Sequence, residues 1–312
     1  MRLTLSAALL MAAGCAENTP IDLGLPEGDE GIVELDPPED GVQVVSGPMV
    51  VPPYSEFSWC TVTPLGNARR MLVNRLEHQS SKTVHHFNVY LVGITPEGPM
   101  EGLCDEVWDE LSMGVVSPVY GSQTEYFRGD FPEGVAGSIP GEQWVVLEHH
   151  ALNPTDRPQW TQAIFNAWAV DRDEVEYVAN GIFGSNTDID IPPGESRVFR
   201  KSCYVDKDMW VFAFGSHTHQ LGTEFEIFRM TRRGQAAERL YHSTDWQAPE
   251  VTVLSDEPIF IPAGAGLQYR CHYTNDTDAL VGYGLTASDE MCMMAAVYYP
   301  DDGFKRCRST PP

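Results

Sequence analysis

Trp210-Val211-Phe212-Ala213-Phe214-Gly215-Ser216-His217-Thr218-His219 is an aromatic and β-branched run that ends in two histidines one residue apart. A short apolar run of this kind reads as a buried strand. Residues two apart on a strand leave the same face, so His217 and His219 can both turn to one metal ion. Comparable runs occur at Phe87 to Val92, Trp144 to Leu147 and Ala295 to Tyr299. Turn signals separate them, among them Thr95-Pro96-Glu97-Gly98, Phe131-Pro132-Glu133-Gly134, Ile191-Pro192-Pro193-Gly194 and Ile261-Pro262-Ala263-Gly264. Helical periodicity is hard to find, so the expected class is all-β, built as sandwiches.

With 312 residues at 42% apolar content, the chain is long enough for two cores. The expected blocks are residues 46–172 and 173–312, joined through the charged stretch Asp171-Arg172-Asp173-Glu174-Val175-Glu176. Residues 16–45 are rich in proline and acid and read as a mobile tether. Residues 1–15 read as a targeting segment: Arg2 supplies a basic start, Leu3 to Ala13 an apolar core, and Ala12-Ala13-Gly14-Cys15 an ending that resembles a bacterial lipobox. Lipidation at Cys15 would make the protein an exported, membrane-anchored bacterial lipoprotein, periplasmic or at the cell surface. A plain secretory signal is the alternative. No later apolar run is long enough to span a bilayer, so membrane contact is expected only through that anchor. A net charge of −25 excludes nucleic acid and anionic lipid surfaces as partners. The chain is expected to act as a monomer.

Export makes disulfides the natural state of Cys60, Cys104, Cys203, Cys271, Cys292 and Cys307. Six cysteines allow fifteen pairings, and composition does not choose among them.

Three further groups carry ligand chemistry: His85-His86, His149-His150 and Met291-Cys292-Met293-Met294. Imidazole combined with thioether suits copper, because soft sulfur favours Cu(I) and zinc seldom recruits methionine. Adjacent histidines face opposite ways on a regular strand, so His85 and His86 can share an ion only where the backbone bulges. Of His149 and His150, one ligand and one bystander are expected.

Taken in order, Thr83-Val84-His85-His86, Leu147-Glu148-His149-His150-Ala151-Leu152-Asn153-Pro154, His217-Thr218-His219-Gln220-Leu221-Gly222 and Asp289-Glu290-Met291-Cys292, followed by Tyr298-Tyr299-Pro300, resemble the copper type II ascorbate-dependent monooxygenases. This is the family of dopamine β-monooxygenase and peptidylglycine α-hydroxylating monooxygenase. The resemblance implies two tandem jelly-roll-like β-sandwich domains with one copper on each, facing across a solvent-filled cleft. It implies that His85, His86 and His150 bind an electron-transfer copper, relatives carrying an apolar residue where His149 stands. It implies that His217, His219 and Met291 bind the copper at which dioxygen is activated, which makes these three the catalytic set. It also implies the pairings Cys60–Cys104, Cys271–Cys292 and Cys203–Cys307.

The activity so implied is hydroxylation of a substrate C–H bond with O2, using ascorbate or another one-electron donor. The peptide-amidating branch binds a substrate carboxylate through an arginine and a tyrosine, at positions that are Gly215 and Ala295 here. A small, partly apolar substrate near Met293, Met294 and Ala295 is therefore expected. The competing reading is a non-catalytic copper-binding or electron-transfer lipoprotein of the same fold. A third, an adhesion module with incidental histidines, requires every ligand motif to be chance. His78, His242 and His272 match no ligand position and read as ordinary histidines. Asn275-Asp276-Thr277 has the pattern of a glycosylation sequon.

Overall fold

The computed structural model describes residues 26, 28–111, 116–284, 286 and 288–307. The expected signal, the lipidated Cys15 and the start of the tether lie outside them. The described chain is nearly all β; its one α-helix, Cys104–Glu110, packs beneath strand Met100–Leu103.

The N-terminal half places two sheets face to face. One runs in the order Gly41–Val51, Gln159–Ala169, Met71–Ser80, Val135–Ile139, Tyr177–Val178, and the other Met100–Leu103, Ser55–Pro64, Trp144–Asn153, Val84–Val92, Val116–Ser122. Their inward residues meet in one core, with Val44, Val73 and Phe165 from the first sheet against Phe87, Val89 and Leu147 from the second. Each such side chain contributes about 1.5–3 kcal/mol on burial. In the C-terminal half, Thr252–Val253, Met209–His217, Met293–Tyr299, Asn180–Ser185 and Lys305–Arg306 form one sheet, and Ser196–Tyr204, Gly266–Thr274, Gly222–Met230 and Ala236–Ser243 the other. Met209, Val211, Phe214 and Met294 pack there against Phe225, Ile227, Leu267 and Tyr269.

The register of strand Met209–His217 slips between Val211 and Ala213. That irregularity explains why the run is buried almost continuously instead of alternating. Val211 and Phe214 face the C-terminal core, while Phe212 and Ala213 join Val135 and Ala179 in a separate apolar cluster with Phe131, Val253 and Tyr299. Phe131 and Phe212, one from each half, have ring centroids 5.0 Å apart. The halves thus share a dry contact close to the His217 strand.

Residues 41–45, placed by composition in the tether, are the first residues of strand Gly41–Val51, with Gly41 opposite Trp168. The preceding segment docks as well: Gln162 Oε1 accepts from Val33 N at 3.0 Å and Asn166 Nδ2 donates to the Asp36 carbonyl at 2.8 Å. Polar side chains of strand Gln159–Ala169 capture this backbone, an interaction that apolar content does not register.

Both halves carry the same latch. Asn153 Oδ1 accepts from Thr155 N and Oγ1 at 3.0 and 2.7 Å, and Asn275 Oδ1 accepts from Thr277 N and Oγ1 at the same two distances. The Nδ2 atoms donate to the Pro52 carbonyl at 3.0 Å and to the Ile191 carbonyl at 2.7 Å, beside Val51-Pro52-Pro53-Tyr54 and Ile191-Pro192-Pro193-Gly194. Tyr54 and Gly194 share a positive φ, 50° and 71°. A structural repeat is therefore present where no sequence repeat is legible. Asn275 is fully buried with its amide nitrogen in use, so the sequon pattern marks this latch and not a glycan site.

Candidate metal centres

His85 and His86 open strand Val84–Val92, where Val84 lies opposite Ala151 and His86 opposite His150. Two steps on one strand against one on the other make a bulge at His85. The extra residue turns both imidazoles to one side, which a regular strand forbids. The strand opposite, Trp144–Asn153, keeps its alternation. His149 therefore points between the sheets, fully buried and hydrogen-bonded to Thr161 Oγ1 at 2.7 Å and Ser46 Oγ at 3.3 Å. His150 faces the other way, toward His85 and His86.

One ring nitrogen from each of His85, His86 and His150 falls within 4.8 Å of the other two. His86 Nδ1 is 3.4 Å from His85 Nδ1 and 3.3 Å from His150 Nδ1. Carboxylates face the outer nitrogens of His86 and His150. His150 Nε2 donates to Glu56 Oε1 at 2.7 Å, and His86 Nε2 lies 3.8 Å from Glu148 Oε1, beyond hydrogen-bond distance. The proton that His150 commits to Nε2 leaves a lone pair on its Nδ1. Three Nδ1 atoms gathered this closely, one of them a fixed acceptor, fit a metal ion held among them.

Burial opposes a charge on Glu148, but His86 and hydrogen bonds from Tyr90 and Asn88 outweigh it and hold the carboxyl at about 2. Burial, then His86, His150 and His219, lowers His85 to about 3, and burial also lowers His150. Both shifts favour the neutral ring at His85 and at His150.

His217 ends its strand, and His219 lies in the turn beyond, with ring centroids 5.0 Å apart. Gly222 closes that turn, since a Cβ there would collide with Thr218 Oγ1. The Glu290 carboxylate accepts both His219 N at 2.9 Å and Leu221 N at 2.7 Å, which fixes the turn against the segment carrying Met291. Burial raises Glu290 to about 7 despite these donors. Met291 is buried, Tyr273 Oη donates to its carbonyl, and the Cys271–Cys292 disulfide anchors the next residue. The bridges Cys60–Cys104 and Cys203–Cys307 are also formed.

The tautomer at this pair is the reverse of that at His150. His219 Nδ1 donates to the Asp289 carbonyl at 2.9 Å. His217 Nδ1 is 2.9 Å from Gln123 Oε1, and the Gln123 amide nitrogen donates to the Trp246 and Gln247 carbonyls at 3.1 and 3.3 Å. Two carbonyl acceptors permit only the amide nitrogen on that side, so Oε1 must face His217. Both imidazoles consequently present Nε2. Burial is the main cause lowering both.

The two histidine groups are neighbours: the His86 and His217 rings have centroids 6.0 Å apart. This corrects the expected solvent-filled cleft, because the apolar contact of Phe131 and Phe212 and the Gln123 bridge draw the halves together. Met294 is also corrected as a substrate neighbour. It is fully buried in the C-terminal core, whereas Met293, opposite His217, and the exposed Ala295, opposite Gly215, lie on the other face.

Glu148 was reachable by alternation, standing two residues before His150. Gln123, 94 residues from His217, carries no local signal.

Residues 180–312 match the family model described as copper type II ascorbate-dependent monooxygenase, C-terminal domain. The chain is 25% identical over 322 residues to DBH-like monooxygenase protein 2 of Mus musculus, covering 89% of this chain and 49% of that protein. It is 27% identical over 263 residues to peptidylglycine alpha-amidating monooxygenase of Rattus norvegicus (81% and 26%), and 33% identical over 198 residues to DBH-like monooxygenase protein 1 of Gallus gallus (56% and 31%). Across the first curated relatives the chain spans 24–60% of their length. A crystal structure of the STIV MCP aligns with 84% of this chain and 93% of its own at 9% identity, and its TM-score of 0.26 carries no argument about fold.

Proposed function

Because this chain belongs to the copper type II ascorbate-dependent monooxygenase family, we propose that it hydroxylates a C–H bond of a small organic substrate with O2 and a one-electron donor such as ascorbate. In this reading His85, His86 and His150 hold one copper through Nδ1, and His217, His219 and Met291 hold a second, the two histidines through Nε2. Copper so bound supplies one-electron redox chemistry and the activation of dioxygen. Imidazoles suit both oxidation states and the thioether favours Cu(I).

The chain's own residues do the positioning. Glu56 and Glu148 aim the first set, Gln123 and the Asp289 carbonyl aim the second, and Glu290 clamps the His219 turn to the Met291 segment. The observation that carries the proposal is the convergence of three imidazoles, with carboxylates facing the outer nitrogens of His86 and His150, beside a second imidazole pair that presents Nε2.

Substrate choice rests on the Met293 and Ala295 end of strand Met293–Tyr299, where Ala295 is exposed. Gly215 and Ala295 stand opposite one another and offer neither a cation nor a hydroxyl for a peptide carboxylate. A small, partly apolar molecule beside Met293 and Ala295 fits better. The halves are read as tandem jelly-roll-like sandwiches, supported by two packed sheets in each. The protein is read as an exported monomer anchored through Cys15, in keeping with three disulfides. No helix among the described residues is long and apolar enough to cross a membrane.

Copper stoichiometry and ascorbate-dependent oxygen use, measured on the wild type, His150→Ala and Met291→Ile, test the assignment. Two coppers falling to about one in His150→Ala, with Met291→Ile inactive, is the expected pattern. Full activity in Met291→Ile rejects it. Turnover of phenethylamines or apolar C–H substrates is expected, and product from peptidyl-glycine alone overturns the substrate assignment. The missing carboxylate clamp at Gly215 and Ala295 also suits a non-catalytic copper carrier. Copper binding without hydroxylated product would select that reading.

A further inference from the structure

Among the imidazoles of the first group, His85 is the one without a carboxylate beside it. Glu56 faces His150 Nε2 and Glu148 faces His86 Nε2, but His85, raised on the bulge, meets no such partner among the described residues. Its ring lies instead against the indole of Trp246, with centroids 6.2 Å apart and planes tilted by 48°. That spacing is an aromatic contact.

Trp246 comes from the other half of the chain. It stands on a strap, residues 244–251, that leaves strand Ala236–Ser243 and rejoins at Thr252–Val253, beside strand Met209–His217. Asp245 shapes the strap: its Oδ1 accepts from Gln247 N at 2.9 Å and from Ala248 N at 3.0 Å, while Ser243 Oγ accepts from Asp245 N at 3.2 Å. The turn so formed aims the carbonyls of Trp246 and Gln247 at the Gln123 amide nitrogen. Those two bonds turn Gln123 Oε1 toward His217 Nδ1 and leave Nε2 as the nitrogen His217 presents. Trp246 itself is half-buried and lies outside the apolar clusters of both halves, so core packing does not account for an indole here.

We propose that Trp246 is a positioning residue for both histidine groups: its indole sets the His85 ring, and its carbonyl, with that of Gln247, sets the nitrogen that His217 presents. One residue thereby orients a side chain in each group by two separate routes. An indole has no acceptor atom, so it restrains the His85 ring by packing and leaves the tautomer of that ring open. The inference deepens the copper reading above and rests on it for what the two groups hold. The orientation of the rings stands without a metal.

Histidine-selective 15N NMR of the copper-free protein reads ring environment and tautomer, and a two-site Cu2+ titration reads the consequence for binding. Trp246→Ala is expected to shift the His85 ring signals through loss of the indole ring current, and to weaken copper at the His85 group about tenfold. Trp246→Phe keeps an aromatic face and should hold that affinity within about threefold of wild type. Asp245→Ala frees the strap carbonyls, so His217 should pass in part from the Nδ1–H to the Nε2–H tautomer, with copper at the His217 pair about tenfold weaker. Wild-type signals and affinities in both Trp246→Ala and Asp245→Ala overturn the proposal. Changes spread over every histidine, with no repair by phenylalanine, also overturn it by making the strap a general prop of the fold. A wild-type protein that takes up no copper sinks the copper reading alone, because the metal-free NMR signatures still judge Trp246.

Discussion

Gln123 decides which nitrogen His217 presents, and it does so from the other half of the chain. Gln123→Ala removes that acceptor and releases the Trp246–Gln247 loop. Copper affinity at the His217 pair should fall about 10- to 100-fold while the His85 cluster keeps its ion, as a two-site copper titration can show. His78 gives a separate residue-scale test. It is fully buried, with neither ring nitrogen hydrogen-bonded, and stacks on Phe87 at 5.2 Å. Burial, then His149, lowers it to about 3 from 6.5. The unfolded chain takes up a proton below about 6.5 that the folded chain refuses, so stability is full above that value and falls as pH drops toward 3. The loss should reach about 2 kcal/mol by pH 5, and urea unfolding at pH 7 and 5 should show a smaller difference in His78→Phe. Ligand-type residues were legible in the chain because histidine pairs and methionine runs are rare. Their orienting partners were not, because glutamine and glutamate are common and act here across distant strands.

At the scale of elements, the bulge at His85 is what makes two adjacent histidines usable. Its need was legible from the periodicity of a strand, but its presence depends on the register against strand Trp144–Asn153. The Cys271–Cys292 bridge, 21 residues apart, holds the Met291 segment against strand Gly266–Thr274. Replacing both cysteines by serine should lower stability by about 3 kcal/mol in denaturant unfolding, since the bridge restricts the unfolded chain. Copper loading at the His217 pair should weaken with it. Strand identity itself was readable from runs such as Trp210 to Phe214, whereas the continuous burial of Val211 to Phe214 required a second apolar surface, the other half of the molecule.

For the whole molecule, contact between the halves brings His86 within 6.0 Å of His217. Phe212 is the largest fully buried side chain of the shared cluster. Phe212→Ala should destabilise the fold by about 3–5 kcal/mol by leaving a cavity between the halves. Thermal unfolding should then separate into two transitions, which calorimetry can resolve.

The chain by itself determined the all-β class, the cysteine count that permits three bridges, and the imidazole and thioether chemistry, because strand periodicity and side-chain identity are local properties. Tertiary structure alone decided that His217 presents Nε2, that Met294 is walled off, and that the two histidine groups lie side by side. Each of those depends on which strand lies opposite and which half lies beyond, relations set by the packing of distant segments and written in no short stretch of sequence.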